Sequence, residues 1–118
     1  MITIISIGKK YDQAQPCDIH IDATQWPTPP PGHRKADGRH PAIQTSVLTR
    51  NPVIFEYLLL AAQFAAILAK GQDQVTVIIE CNEGIHRSVA GAEALLAYVR
   101  ELGEEATVFH RDLGRRAS

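Results

Sequence analysis

The stretch from Gln74 to Ala90, QVTVIIECNEGIHRSVA, most constrains what this chain can fold into. It begins with an apolar, β-branched run from Val75 to Ile79, passes through a loop that contains Gly84, and enters a helical pattern at Arg87-Ser88. A strand, a tight loop and a helix start are therefore predicted. Because this arrangement points backbone N–H groups and the positive end of a helix dipole at one spot, the loop is predicted to bind an anion.

The spacing within the loop favours phosphate as that anion. Cys81 is followed by five residues and then by Arg87 and Ser88, which is the spacing of phosphatase loops in which a thiolate attacks phosphorus. In such a loop Arg87 would bind two phosphate oxygens, Ser88 would cap the helix and Gly84 would permit close backbone approach. The alternative is a structural strand-to-helix turn in which Cys81 is only a small buried residue.

Length and composition predict one domain, residues 1–118, of an ordinary soluble protein. The 118 residues are 45% apolar and 21% charged, and a net charge of −1 gives no overall attraction to nucleic acid or membrane. Cys17 and Cys81 have no metal-ligand spacing, so no metal or cofactor is predicted and a reducing cytoplasm is expected. The most apolar stretch, Tyr57 to Ala69, is 13 residues and is expected to be too short to span a bilayer.

The remaining elements follow from apolar periodicity and from turn residues. Strands are predicted at Ile2–Ile7, Asp18–Asp22 and Ala106–Phe109, and helices at Pro41–Arg50, Pro52–Lys70 and Ser88–Leu102. A strand, helix, strand unit requires a parallel right-handed crossover, so the fold class is α/β, with a small, mostly parallel sheet of about four strands and flanking helices. Ligands of such sheets bind beyond the carboxyl ends of the strands, where the Cys81 loop falls.

Two further features predict partners. The helix from Pro52 is apolar nearly all round, which indicates a homo-oligomer unless the monomer buries all of it. Basic residues also cluster in a long loop, 25–40, and at the end of the chain, and weak, salt-dependent RNA contacts are predicted there, solvated surface being the alternative. The predicted RNA-contacting residues are Arg34, Lys35, Arg39, Arg115 and Arg116.

CNEGIHRSVAGAEAL, followed about twenty residues later by VFHRDL, resembles the C-terminal domain of RapZ-type RNase adapter proteins. The resemblance implies a binding module for a phosphorylated amino sugar, a sensor or adapter, which in larger members also contacts small regulatory RNA. Those members carry an N-terminal nucleotide-binding domain with its own phosphate loop, whereas this chain has no GxxxxGK[ST].

The resemblance also places the ligand site. It implies that the phosphate is surrounded by the loop and that His110 and Arg111 complete the pocket, although these two residues could equally be a surface strand end. The predicted site residues are Cys81, Asn82, Gly84, Ile85, His86, Arg87, Ser88, His110 and Arg111. His86 has packing or capping as its alternative. Asn82-Glu83 departs from the family's Thr-Gly, and a carboxylate there would repel phosphate unless it points outward or binds a hydroxyl or amine.

The competing hypothesis is a cysteine-dependent phosphatase with Cys81 as nucleophile and Arg87 as phosphate ligand. It needs a lowered thiol pKa and an aspartic general acid, for which Asp37 and Asp22 are the candidates. Glu80 argues against it, because a carboxylate close to the thiol would raise the thiol pKa. Trp26-Pro27 is typical of general-acid loops, but Thr28 stands where the acid would be.

Overall fold

The computed structural model describes residues 1–29, 31–33 and 35–115. Within them the strands are β1 (Ile2–Gly8), β2 (Ile19–Asp22), β3 (Val75–Cys81) and β4 (Ala106–His110). The helices are α1 (Pro41–Thr49), α2 (Pro52–Gly71) and α3 (Arg87–Glu101). Short 3-10 helices lie at Pro31–His33, inside the long loop, and at Leu113–Arg115.

All four strands belong to one parallel sheet in the order β2-β3-β1-β4. β1 pairs with β3 from Ile2 opposite Val75 to Gly8 opposite Cys81, so these two strands end level with each other. The predicted α/β class and the four-stranded sheet are confirmed.

The helices and the loop connection lie on opposite faces of the sheet, as the strand order requires. The steps from β2 to β3 and from β3 to β4 run in the same direction across the sheet, so right-handed crossovers put α1, α2 and α3 on one face. The step from β1 to β2 runs the other way. Its connection, residues 9–18, covers the opposite face by packing Ala14 and Cys17 against Ile5, Ile7 and Ile78.

The main core lies between the sheet and the helices. Alternate residues of each strand point into it, among them Ile4, Ile21, Val77 and Val108, as the period of two in a strand dictates. α2 adds Leu58, and α3 adds Leu95, at the helical spacing of one buried face. This core fixes the positions of the strand ends, where the candidate site is found.

Several predicted boundaries needed correction by one or two residues. β3 runs on to Cys81 and β4 to His110, because strand pairing continues past the apolar runs. α3 begins at Arg87 rather than at Ser88. Gly71 does not stop α2 but is its last residue, and Gln72 follows it with extended backbone. The predicted start of α2 is confirmed, since Asn51 caps it by accepting the N–H of Val53 at 3.0 Å.

α2 is longer than its most apolar stretch indicates. The helix has 20 residues, and an 18-residue window of it has a mean hydropathy of 1.8, so by length and composition alone it could cross a membrane, whereas the predicted 13-residue stretch from Tyr57 to Ala69 could not. One side of the helix, however, carries Leu58, Ala62 and Ala65 into the core against the sheet. That pattern is the one found in a core helix of a globular α/β protein.

Candidate functional site

A cleft of about 520 Å³ opens at the carboxyl ends of β1 and β3. These strands are neighbours whose connections leave in opposite directions, and such a point opens a crevice in a parallel sheet. Its lining comes from three segments, the turn after β1, the long loop 25–40 and the loop after β3: Lys10, Tyr11, Thr28, Pro29, Cys81, Asn82, Glu83, Ile85, His86 and Arg87. The structure thus brings together five of the predicted site residues, Cys81, Asn82, Ile85, His86 and Arg87.

Gly84 shapes the loop by meeting β1. Its φ of +73° is in the left-handed region, and a Cβ there would lie 2.6 Å from the backbone nitrogen of Gly8. The close approach that was predicted for this glycine is therefore made to a strand of the protein. Gly84 is buried and does not line the cleft.

Asp112 holds the β1 side of this contact. The N–H of Gly8 donates to its Oδ2 at 2.6 Å, and the carboxylate is fully buried, with 0% of the side chain exposed. Arg111 donates to the same oxygen from Nη2 at 2.9 Å. A buried carboxylate paired in this way fixes the end of β1 and hence the turn that carries Lys10 into the cleft.

Cys81 is built into the loop through its sulfur. Sγ accepts the N–H of Gly84 at 3.3 Å and donates to Ser88 Oγ at 3.1 Å. Only 2% of the residue is exposed. These bonds tie the last residue of β3 to the loop and to the first turn of α3, so Cys81 fixes the loop conformation.

The first turn of α3 leaves its backbone donors uncapped by a side chain. His86 occupies the N-cap position, but in the described part of the chain it makes no side-chain capping bond to α3. Its Nε2 instead lies 2.8 Å from the carbonyl oxygen of Ala36 in the long loop. Ser88 is fully buried against Cys81, so the expectation that it caps the helix was wrong. An uncapped helix start beside a cleft favours an anion there.

Arg87 stands between the cleft and the long loop. Its Nη1 donates to the carbonyl oxygens of Thr24 at 2.5 Å and of Trp26 at 3.4 Å, and the residue lines the cleft. Those two bonds use only one of its nitrogens, so the guanidinium can still offer other N–H groups to a ligand. Arg87 therefore both holds the loop and brings positive charge to the cleft.

Lys10 and its neighbours in the turn after β1 were missed by the sequence analysis. Lys10 Nζ lies 3.4 Å from Glu83 Oε1 across the mouth of the cleft. The hydrogen bond and charge of Glu83 raise the pKa of Lys10 above its ordinary value. In this exposed pair the Lys10 ammonium offsets part of the charge of the Glu83 carboxylate, which lies in the loop that was predicted to bind an anion. The one signal in the sequence was the Lys9-Lys10 pair directly after β1.

The long loop forms the third wall and is anchored on α3. The N–H of Gly38 donates to the carbonyl oxygen of Ile85 at 2.8 Å. A Cβ on Gly38 would lie 2.4 Å from backbone atoms of His86 and Ala90, so only glycine fits against the start of α3. Thr28 and Pro29, earlier in the same loop, line the cleft.

His110 and Arg111 reach the same edge of the sheet, as β4 is parallel to β3, but neither is among the residues that line the cleft. His110 lies 2.7 Å from Ser6 Oγ through Nδ1 and 2.8 Å from Glu93 Oε2 through Nε2. Besides binding Asp112, Arg111 donates to the carbonyl oxygen of Asp12 at 2.9 Å. Their contacts hold the frame around the cleft, and a direct ligand contact by either stays a prediction.

The candidate general acids Asp22 and Asp37 are not among the residues that line the cleft, and neither is Glu80. Glu80 points to the sheet face opposite Cys81, where its Oε1 is 3.1 Å from His20 Nε2. Asp22 binds Thr24, and Asp37 binds Arg39, whose hydrogen bond holds the pKa of the Asp37 carboxyl below its ordinary value. Among the described residues the only carboxylate that lines the cleft is Glu83.

Two of the predicted RNA-contacting residues that the structure describes, Arg39 and Arg115, are in ion pairs. Arg39 Nη2 is 2.7 Å from Asp37 Oδ2, and Arg115 Nη1 is 3.2 Å from Asp12 Oδ2. Lys35 is exposed, and Arg34 and Arg116 lie outside the described residues. RNA contact by these residues stays a prediction.

Comparison with known proteins agrees with the family resemblance that was based on the Cys81 loop and the VFHRDL segment. The profile of the RapZ C-terminal domain matches residues 1–114. The chain belongs to the RapZ C-terminal domain family. It is 38% identical to a nucleotide-binding protein of Salinispora tropica, 35% identical to one of Mycobacterium tuberculosis and 34% identical to one of Streptomyces coelicolor. These matches cover 96–97% of this chain and 40% of each relative, so the chain corresponds to less than half of their length.

Proposed function

We propose that this domain binds a phosphorylated small molecule, an amino-sugar phosphate, in the cleft between β1 and β3, and acts as a sensor or adapter. The observation that carries the proposal is the first turn of α3, which stands at the cleft beside Arg87 and whose N-cap residue, among the described residues, makes no side-chain capping bond. Backbone N–H groups at a helix start, together with a guanidinium, bind phosphate through charge-assisted hydrogen bonds.

The charges around the cleft support a phosphate monoester with a further polar group. Arg87 and Lys10 supply positive charge from opposite walls, and Glu83 supplies one negative charge at the mouth. A phosphate held by Arg87 and α3 would leave the rest of the ligand near Glu83 and Lys10. Glu83 is then suited to an ammonium or hydroxyl group of that ligand, which is how an amino sugar would differ from inorganic phosphate.

The relatives are named nucleotide-binding proteins, which makes a nucleotide the second ligand class to test. Because this chain corresponds to only 40% of their length, that name can describe the rest of those proteins. Tyr11 is the phenol ring at this cleft, and the Lys10 ammonium and the Arg115 guanidinium already lie over it at 5.2 and 5.1 Å from its centre, which leaves a base little room to stack on that ring. The sugar phosphate is therefore the ligand that we propose.

Phosphatase activity is the alternative in the same loop. Cys81 and Arg87 have its spacing, but the thiol is buried and bound within the loop, and Glu83, the carboxylate at the cleft, is paired with Lys10. A phosphatase of this type needs an exposed thiolate and a general acid. These observations favour binding over turnover. Hydrolysis of an aryl phosphate that is lost in Cys81→Ser would reverse that conclusion.

RNA contact and a cytoplasmic location are further parts of the proposal. Both cysteines are free, which fits a reducing compartment. RNA would be bound weakly through exposed cations such as Lys35, because Arg39 and Arg115 are already in ion pairs. A gel-shift titration at low salt, repeated with Lys35→Ala, tests it, and the absence of any shift would remove RNA from the proposal.

The ligand is tested by calorimetry and thermal shift with glucosamine 6-phosphate, glucosamine, inorganic phosphate and a nucleoside monophosphate. We expect the phosphosugar to bind most tightly, glucosamine not at all, and Arg87→Ala to weaken phosphosugar binding by roughly 10- to 100-fold, the effect of losing a charge-assisted contact.

Arg100→Ala is the matched control, since Arg100 is also on α3 and also donates to a backbone carbonyl, that of Ala106, but away from the cleft. It should leave binding unchanged. Because Arg87→Ala also frees the loop at Thr24, Lys10→Ala provides a second variant at the cleft. Equal binding by wild type, Arg87→Ala and Lys10→Ala would place the ligand elsewhere and end the proposal.

A further inference from the structure

Trp26, the single tryptophan of the chain, joins the start of the long loop to α3. A Cβ added to Gly91 would lie 2.9 Å from Cζ3 of the indole ring and 3.3 Å from Cη2, so the ring lies directly against the helix backbone. A glycine weakens a helix interior relative to alanine, because it has more conformational freedom to lose. In α3 the space beside this glycine is filled by the indole of Trp26.

Trp26 also holds Arg87, through its backbone. Arg87 and Gly91 are four residues apart in α3 and therefore lie on one face of the helix, in successive turns. Arg87 Nη1 donates to the carbonyl oxygens of Thr24, at 2.5 Å, and of Trp26, at 3.4 Å. The segment thus contacts two turns of α3, with its carbonyls at Arg87 and with the indole at Gly91.

The turn that carries these two carbonyls, residues 22–26, is held together by its own hydrogen bonds. Its start is tied to β3, since the N–H of Ala23 donates to the carbonyl oxygen of Glu80 at 2.7 Å. Asp22 Oδ1 accepts the N–H of Thr24 at 2.9 Å and its hydroxyl at 2.6 Å. The N–H of Trp26 donates to the carbonyl oxygen of Ala23 at 3.2 Å. A displacement of the indole therefore moves the two carbonyls with it.

The segment after the indole is stiff and leads to the cleft. Its sequence is Trp26-Pro27-Thr28-Pro29, in which each proline fixes its own φ at about −65° and restricts the residue before it to extended backbone. Thr28 and Pro29 line the cleft. The contact between the indole and Gly91 therefore sets the position of that wall as well.

We propose that Trp26 is a positioning residue for Arg87. The indole, packed on Gly91, fixes the carbonyls of Thr24 and Trp26. These carbonyls hold the Arg87 guanidinium at the cleft through Nη1, which leaves its remaining N–H groups for a ligand. The binding of phosphate by those groups rests on the function proposed above, whereas the positioning of Arg87 by Trp26 does not.

The indole also fills the core, and the two roles must be separated. It packs beside Ile43, Val47 and Leu48 of α1 and Ala90 of α3, so a smaller side chain would lower stability by itself. Within the described ranges, however, the side-chain hydrogen bonds of Arg87 go to residues 24 and 26 and none goes to α1. A measurement of stability cannot distinguish the roles, so the test follows the Arg87 guanidinium itself.

Gly91→Ala is the main variant, because it keeps Trp26 and puts a methyl group where the indole lies. We expect Trp26 fluorescence to shift to longer wavelength, since the ring is pushed toward water. NMR reports on Arg87, whose side-chain N–H signals are assigned by their absence in Arg87→Ala. In wild type the bonds of Nη1 slow rotation of the guanidinium, so separate N–H signals are expected. In Gly91→Ala these signals should merge.

Gly71→Ala is the matched control. It makes the same change at the last residue of α2, where an added Cβ meets nothing within 4 Å. It should leave the fluorescence and the Arg87 signals unchanged. Trp26→Phe removes the ring atoms nearest to Gly91 and so makes room for the methyl group. Combined with Gly91→Ala, it should restore the separate Arg87 signals at least in part.

Binding gives a second readout, with inorganic phosphate and glucosamine 6-phosphate as calorimetric probes. Gly91→Ala should weaken phosphosugar binding by roughly 10-fold, because the charge-assisted contact of Arg87 is misplaced. Added to Arg87→Ala, the same change should weaken binding no further, since Trp26 acts through Arg87 and the two effects are then not additive. Circular dichroism must show that every variant keeps the wild-type fold.

Two results would overturn the proposal. One is a Gly91→Ala protein with unchanged Arg87 signals, because the indole contact would then have no effect on the guanidinium. The other is additive weakening when Gly91→Ala is combined with Arg87→Ala, which would mean that Trp26 acts on the ligand by a route other than Arg87. If wild type binds neither probe, the proposed ligand fails, and the NMR comparison still decides whether Trp26 positions Arg87.

Discussion

α2 and α3 pack on the same face of one sheet, but they leave different groups without a partner. The start of α2 is capped, since Asn51 accepts the N–H of Val53 and Pro52 takes the first helical position, while apolar side chains such as Leu60 and Phe64 are exposed on its outer side. α3 is buried along most of its length, through residues such as Val89, Leu95 and Val99, while the N-cap residue at its start makes no side-chain capping bond within the described ranges.

The difference shows how a small domain separates two kinds of recognition. Uncapped N–H groups attract an anion, and uncovered apolar side chains attract another apolar surface. The N–H groups at the start of α3 lie at the sheet edge, and the exposed apolar side chains of α2 lie on the outer layer. A ligand and an apolar partner could therefore bind at the same time. The predictions below test whether the two sites are as separate as the structure makes them.

Loss of Asp112 should have the largest effect, which we expect on the stability of the whole domain. Asp112→Ala removes the buried acceptor of Gly8 and the partner of Arg111, so we expect a loss of roughly 3 kcal/mol in the free energy of unfolding. Urea denaturation measures it. Asp12→Ala, at the exposed partner of Arg115, should change stability by less than about 0.5 kcal/mol. A loss of the same size in both variants would contradict the role of burial.

Removing the cap of α2 should have an intermediate effect. Asn51→Ala takes away the acceptor of the Val53 N–H and should cost about 1 kcal/mol of stability, with phosphosugar affinity unchanged. Thermal unfolding and calorimetry on the same samples measure the two quantities. If ligand affinity falls together with stability, the start of α2 and the cleft are coupled, and the two helices do not act independently.

Glu83→Gln should have the smallest effect on stability, and it tests how the Glu83 charge acts on Lys10 and on a ligand in the cleft. The Lys10 pKa should fall toward its ordinary value, because the hydrogen bond and charge of Glu83 raise it. A pKa raised in the folded state adds stability below the ordinary value, which is lost as the pH rises through the folded value. That loss should be absent in Glu83→Gln.

NMR titration of the Lys10 side chain checks this. We also expect inorganic phosphate to bind the variant a few-fold more tightly, since a negative charge has left the mouth of the cleft. Weaker phosphate binding would mean that Glu83 orders Lys10 for the ligand.

Much of the fold could be predicted from the sequence because its strands are continuous apolar runs. The runs from Ile2 to Ile7 and from Val75 to Ile79 are short, continuous and apolar, which is typical of buried strands. Helices connect successive strands, so the strands are expected to be parallel. The cap at Asn51 and the turn at Gly84 follow directly from the local sequence. Such signals depend only on neighbours in the chain.

The part of the site that was missed depends on strand order. Lys10 and Tyr11 reach the cleft because β1 is inserted between β3 and β4, and nothing in the pattern of either strand gives that order. Ser88 was assigned to the cap because its type suits one, but the helix begins a residue earlier and its hydroxyl turns to Cys81. Long-range packing decided both positions.

The connection from β1 to β2, residues 9–18, carries a native thiol, Cys17, whose reactivity should depend on whether the cleft is occupied. It starts in the cleft with Lys10, and it ends where Asp18 accepts the N–H of Thr76 at 2.8 Å. Between these anchors, Cys17 is half-buried against the sheet, and burial, followed by the charge of Asp18, raises the pKa of its thiol. A ligand in the cleft that contacts Lys10 should make residues 9–18 less mobile and so slow alkylation of Cys17. The rate of alkylation would then measure ligand occupancy without an added label.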